Sequence, residues 1–294
     1  MLDYVQFVLA PQMVTGLSLG VAVVLVALGL TIIFGLLDVI NMSHGEFYAV
    51  GAYLALSLGA AGIDFWLLLV IVPALMVPIG FAVERGLIQR VFNSPDRHTT
   101  TLLLTFGLGL VIEEVLAVIF GPNTQRPPTP IRGAVDILGV MLPNYRLFLI
   151  VFGLLIVAAV ALVVYKTRLG AMVRAAAFDR DMAASLGVPV ALVFAGAFSF
   201  GIALAGLAGV LLAPIYSVFP TMGRDFILLA FTVVIVGGMG SIAGAVVAGL
   251  VLTQIQAISS LYISPVWSDP IVFGILVIVL MVRPQGLFGR LGRA

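Results

Sequence analysis

Long uncharged apolar runs dominate the chain, at 4–37, 47–63, 65–83, 98–112, 147–165, 182–223 and 226–268. A helix needs about 20 apolar residues to cross about 30 Å of hydrocarbon. The two longest runs, 182–223 and 226–268, therefore each hold more than one crossing, or a crossing plus a buried broken helix. The pattern predicts spans at 12–37, 43–63, 65–83, 99–120, 147–165, 190–212, 226–239, 242–262 and 266–283. Ser268-Asp269-Pro270 marks a helix start, with Asp269 as cap and Pro270 in the first turn, and Pro284 marks a stop just past Arg283. The expected fold is an all-α polytopic membrane protein of about eight to ten transmembrane helices, broken or re-entrant segments included. It forms a single transmembrane domain over 1–294.

Composition agrees. Hydrophobic residues make up 62% of the chain and charged residues 9%, against about a quarter charged in soluble domains. The longest polar connection, 121–146, is too short for a soluble domain. The absence of cysteine excludes disulfides and thiolate metal sites. The opening MLDYVQFVLAP has no basic n-region and reads as uncleaved. The 14 basic residues divide unevenly between the two sides. Arg85, Arg90, Arg97, Lys166, Arg168, Arg174, Arg180, Arg283, Arg290 and Arg293 fall on one side; Arg126, Arg132, Arg146 and Arg224 fall on the other. The positive-inside rule puts the first set in the cytosol, with the C-terminus, and an odd span count puts the N-terminus outside.

Four stretches depart from plain apolar helix. Lys166 to Pro189 is a charged, helix-prone cytosolic loop in which Asp179, Ala183 and Gly187 recur at four-residue spacing. On one continuous helix they stack into a small, flat face suited to a partner's groove, with Arg174 about a turn earlier. The bland alternative is a surface loop with a glycine cap. The second stretch, Phe34 to Tyr53, gathers Asp38, Asn41, Ser43, His44 and Glu46 between apolar runs. It reads as a broken, protein-buried element along a solute path, because a cytosolic turn would carry Lys or Arg rather than two acids. A plain turn remains the alternative. With only His98 elsewhere, His44 and Glu46 do not make a metal site.

The third stretch, Phe231 to Gly244, matches a dinucleotide fingerprint at Gly238, Gly240 and Ala243. No strand–helix alternation surrounds it, so Gly237, Gly238, Gly240, Gly244 and Gly249 read as close helix packing around a tight turn. The fourth is the pair Glu113 and Glu114, possible buried charges about 20 Å into their span. Adjacent residues on a helix point about 100° apart, so one acid pairs or faces a cavity while the other faces elsewhere.

FGLLDVINMSHGEFYAVGAY, RAAAFDRDMAASLGV, VGGMGSIAGAVVAG and the closing RPQGLFG, in this order and spacing, resemble the branched-chain amino acid permeases of bacterial ABC importers. The resemblance spans nearly the whole chain. It implies a multi-pass subunit of the bacterial inner membrane that works with a second, related permease, two cytosolic ATPase subunits and a periplasmic or extracellular solute-binding protein. Nucleic acid has no part. The 174–188 loop resembles the family's ATPase-coupling element, matching through Arg174, Asp179, Ala183, Ala184 and Gly187. It departs from the Glu-Ala-Ala pattern of other importers at Met182. The chain has no P-loop, so it is not expected to be an enzyme or to bind a cofactor itself, and ATP and Mg belong to the ATPase subunits. Related permeases carry urea, short amides or other small organic solutes, which stay open as alternatives. From other classes, a gradient-driven secondary transporter would use Glu113, Glu114, His44 and Glu46 as a relay, and a membrane scaffold would use no polar residue at all. Neither explains the small-faced loop.

Overall fold

A computed structural model describes residues 5–289 except Asn93 and Leu138. The main helices are α1 (Ala10–Leu37), α2 (His44–Ala60), α3 (Phe65–Val83), α4 (Arg97–Phe120), α5 (Asn144–Lys166), α6 (Arg168–Phe178), α7 (Arg180–Ser185), α8 (Val190–Tyr216), α9 (Met222–Gly237), α10 (Ile242–Tyr262) and α11 (Ser268–Val282). A π-helical turn, Glu84–Ile88, prolongs α3 to Val91. The nine predicted spans correspond to α1–α5 and α8–α11. A short antiparallel hairpin, β1 (Ala134–Ile137) and β2 (Val140–Pro143), was not anticipated in the proline-rich 121–146 connection. Gln125 also bridges Val218.

Among the described residues, six helices are long and apolar enough to cross a membrane: α1, α3, α4, α5, α8 and α10. Of these, α1 and α8 are mostly buried within the chain itself, whereas α3, α4 and α5 leave most of their surface outward. The centre follows from composition. Ala10–Leu37 carries no charged residue and is apolar on every face, as a helix surrounded by other helices must be. Its backbone meets that of α8 where Gly29 faces Gly201: a Cβ on Gly201 would lie 2.8 Å from the Gly29 carbonyl oxygen. Without a hydrophobic force between helices in lipid, such close backbone approach is what packs them.

The ends that carry 84–98, 166–189 and residues after 282 come together at one end of the bundle, called here the basic end. Arg180 reaches the carbonyl of Leu37 at the close of α1, and Arg97 pairs with Asp38. Leu287 and Phe288 donate backbone hydrogen bonds to Val236 and Gly237 at the close of α9. Arg290 and Arg293 lie outside the described residues.

Of the nine helices that correspond to predicted spans, α2, α9 and α11, with 17, 16 and 15 residues, are too short to cross about 30 Å alone. The first residues of α2 and α9 are buried, whereas α11 starts with Ser268 buried but Asp269 and Pro270 exposed. The sequence places the start of the α9 span at 226, past Arg224 and Asp225; the helix begins at Met222 and includes both. Their charges sit against Glu113 and a cavity, not against lipid.

Candidate functional site

The polar junction begins where α1 ends. Asp38 closes α1 in the left-handed region, φ 53°, with its N–H donating to the Phe34 carbonyl. From there the chain turns back into the bundle. His44, the first residue of α2, donates from Nε2 to the Val26 carbonyl at 3.1 Å, and Val26 lies about 16 Å up α1 from Leu37 at 1.5 Å per residue. The six residues 38–43 make this re-entrant climb as non-helical chain that ends in a turn at Met42 and Ser43, where the His44 N–H donates to the Asn41 carbonyl at 3.3 Å. Its freed backbone is met from α4: the Thr105 hydroxyl donates to the Ile40 carbonyl at 3.1 Å and accepts from the Met42 N–H at 3.0 Å. The Ser43 hydroxyl donates to Asn41 Oδ1 at 2.7 Å.

Asn41, Ser43, His44 and Glu46 are buried, and Asp38 is half exposed at the basic end, bonded to Arg97 at 2.8 Å. Asn41 Nδ2, His44 Nδ1 and Glu46 Oε2 have no hydrogen-bond partner among the described residues. The starts of α2 and α9 touch at Gly45 and Gly223, where a Cβ on Gly223 would stand 2.7 Å from the Gly45 carbonyl oxygen and 2.6 Å from the Glu46 carboxyl carbon. Two glycines are required here because two helix starts share one depth.

Around this contact lies a group of charges. Glu113 bonds Arg224 at 2.7 Å, and Glu113, Arg224 and Asp225 all act electrostatically on Glu46. Glu114 is exposed on the other side of α4. Of the two possible buried charges, then, only Glu113 turns inward, for the angular reason given above.

A cavity of about 320 Å³ opens beside the start of α9, among α1, α2, α9, α10, α11 and the 216–219 connection. Its polar residues are Asp225, Asp269, Gln256, Ser217, Tyr48 and Tyr216. Gln256 Nε2 donates to Asp269 Oδ1 at 2.7 Å, and Tyr48 stacks on Phe226 with ring centroids 4.4 Å apart. Leu19, Leu229 and Val272 are among its apolar walls. None of Asp38, Asn41, Ser43, His44 and Glu46 lines it; His44 lies one helical turn before Tyr48 on the basic-end side, and Asp38 is at the basic end itself. Asp225 and Asp269 were not singled out as cavity residues. Their visible signal was an acid in the first turn of a helix that starts beside an apolar run, and such an acid is equally a dipole partner.

The loop 166–189 is two helices at right of way to the basic end, not one. Asp179 is extended, φ −151°, and caps α7 by accepting from the Met182 N–H at 2.9 Å. This break spoils the four-residue stacking of Asp179, Ala183 and Gly187. Ala183 turns inward and is only 2% exposed, so it cannot reach a partner's groove, whereas Phe178, Met182 and Leu186 are 85%, 60% and 76% exposed. Asp179, Ala184 and Gly187 remain at the surface, Gly187 ending α7 at φ 82°. Arg174 bonds back to the Val164 carbonyl of its own chain. Arg180 is half-buried, and its guanidinium is pushed down from its ordinary value by burial and by the neighbouring Arg97.

The model of the family described as branched-chain amino acid transport system, permease component, matches residues 12–281. The chain belongs to this family. This permease is 32% identical to the high-affinity branched-chain amino acid transport system permease protein LivH of Salmonella typhimurium over 294 residues, 95% of each chain. It is 30% identical to BraD of Pseudomonas aeruginosa, again over 95% of each. It is 28% identical to a probable LivH of Methanocaldococcus jannaschii over 90% of this chain and 88% of that one. No solved structure matches it. In the permease, the glycine stretch forms the α9–α10 turn: a Cβ on Gly237 would stand 2.5 Å from the Gly244 carbonyl carbon, and Gly238 and Gly240 hold φ of 100° and 80°. The turn sits against Gly35 of α1 and against the residues that follow α11.

Proposed function

We propose that this chain is a transmembrane subunit of an ATP-binding-cassette importer that moves branched-chain, hydrophobic amino acids into the cytoplasm by alternating access. The basic end faces the cytosol of a bacterial inner membrane, and the 121–146 end faces outward. A second, related permease completes the membrane unit, a solute-binding protein delivers the solute, and two ATPase subunits bind at α6 and α7. Phe178, Met182 and Leu186 are the side chains that meet the ATPase, being apolar, exposed and outside the lipid. ATP and Mg stay with those subunits.

The observation that carries the solute class is the cavity chemistry. Asp225 and Asp269 line the cavity and act on one another, while Glu46, Glu113 and Arg224 stand outside its lining. The two lining carboxylates offer a partner to the ammonium of an amino acid zwitterion, and the apolar walls suit an aliphatic side chain. Urea and short amides have neither an ammonium for these carboxylates nor an aliphatic side chain for these walls. The buried junction at Asn41, Ser43, His44 and Glu46 closes the passage on the basic-end side of the cavity and opens when the ATPase pair moves α6 and α7. A gradient-driven relay fits less well, since Glu113 is held by Arg224 and Glu114 faces away from the junction.

The test is reconstitution of the permease pair with its ATPase and binding-protein partners in liposomes. Leucine uptake that needs ATP and the binding protein is expected, and Asp225→Asn with Asp269→Asn should lower it about tenfold, the factor that about 1.4 kcal/mol of lost attraction corresponds to. Preferential uptake of urea or short amides would refute the solute class. Uptake driven by an ion gradient without the ATPase would refute the importer.

A further inference from the structure

Arg180 is the first residue of α7, yet its side chain leaves the surface and enters the bundle. Its guanidinium carbon lies 4.4 Å from the centre of the Phe92 ring and 4.8 Å from that of Phe194. Nη2 donates to the Leu37 carbonyl at 3.1 Å. Phe92 follows the end of α3, Phe194 is in the first turns of α8, and Leu37 is the last residue of α1. One side chain therefore ties the cytosolic helix pair to three membrane helices at once. A second guanidinium, from Arg97 at the start of α4, sits 4.9 Å over the same Phe92 ring and bonds Asp38 at 2.8 Å.

The place of the Leu37 contact matters. Leu37 is immediately followed by Asp38, whose left-handed backbone turns the chain from α1 into the re-entrant 38–43 segment. A planar, permanently charged group held between two rings is a stiff connection, because sliding or tilting it loses the ring contacts and the hydrogen bond together. A lysine in its place keeps the charge but has no plane to lay against either ring.

We propose that Arg180 is the positioning residue through which movement of α6 and α7 is passed to the hinge at Leu37–Asp38, and so to the buried polar junction. This rests on the importer reading above. Docking of the ATPase and transmission of its movement are then separate: Phe178, Met182 and Leu186 face the partner, and Arg180 faces the permease.

The two jobs can be measured apart in the reconstituted importer. Arg180→Ala and Arg180→Lys are assembled with all partners, and three quantities are read: retained ATPase, ATP hydrolysed, and leucine taken up per ATP. A fourth is the labelling rate of the thiol introduced by Ile40→Cys in this cysteine-free chain, with and without trapped nucleotide. Transmission through Arg180 predicts that Arg180→Ala retains the ATPase and hydrolyses ATP while uptake per ATP falls about tenfold and nucleotide ceases to change the Ile40→Cys labelling rate. Arg180→Lys should assemble like the parent and lose uptake per ATP by about threefold. Parental uptake per ATP in both variants, or an unaltered nucleotide effect on labelling in Arg180→Ala, overturns the proposal. So does loss of the ATPase from Arg180→Lys, which would make Arg180 a docking residue. A parent complex that binds no ATPase and takes up nothing with ATP would instead strike at the importer reading itself.

Discussion

Truncating Phe178 separates the face that the structure turns outward from the face that four-residue spacing suggests. The ring is 85% exposed in the isolated permease, so nearly all of its transfer energy is available on docking. Full burial of such a side chain stabilises by about 1.5–3 kcal/mol, and about 2 kcal/mol is a fair value at that exposure. Phe178→Ala should then weaken ATPase binding about thirtyfold. Met182 and Leu186, i and i+4 along α7 and its cap, should add smaller and comparable losses, so the triple alanine variant should not retain the ATPase at micromolar concentration. The assay is titration of labelled ATPase subunits onto the permease pair in nanodiscs. Ala183→Trp is the informative contrast: at 2% exposure the indole has no room, and overpacking should cost about 1–3 kcal/mol in the fit of α7 against the bundle, read as a lower melting temperature of the subunit. Parental binding by both Phe178→Ala and the triple variant would refute the assignment of this face.

Other outcomes are equally checkable. Thiols introduced by Ala175→Cys and Thr129→Cys should react only with reagents on the cytosolic and external sides respectively, and the reverse pattern would invert the orientation. Gly223→Val should impair folding of the permease, since its first added carbon would stand 2.7 Å from the Gly45 carbonyl oxygen, whereas Gly107→Val, with nothing within 4 Å, should be silent in the melting temperature of the purified chain. His44→Leu removes the second hydrogen bond to the Val26 carbonyl, which keeps its own helical partner one turn on, for a loss of about 0.5–1.5 kcal/mol in subunit stability; an unchanged unfolding midpoint would mean that this contact contributes nothing to the fold.

The sequence by itself determined the membrane class, nine helical segments at close to their true bounds, and the gathering of basic residues at one end. Hydropathy is a sum of local transfer energies, and local sums can be taken along the chain. It also marked 38–46 as a place where polar groups and lipid are incompatible. Only the tertiary structure decided how that incompatibility is resolved, because the partner of Ile40 and Met42 is Thr105, and the partner of His44 is Val26, 18 residues back. Depth was beyond reach for the same reason. That α2 and α9 begin inside the bundle depends on which neighbours cover their ends, and Asp225 and Asp269 share a cavity although 44 positions apart because α9 and α11 pack together. The docking face turned on a single residue. Asp179 caps a new helix instead of continuing the old one, and a capping hydrogen bond worth about 1 kcal/mol redirects every side chain after it, sending Ala183 and Arg180 inward and Met182 and Leu186 out.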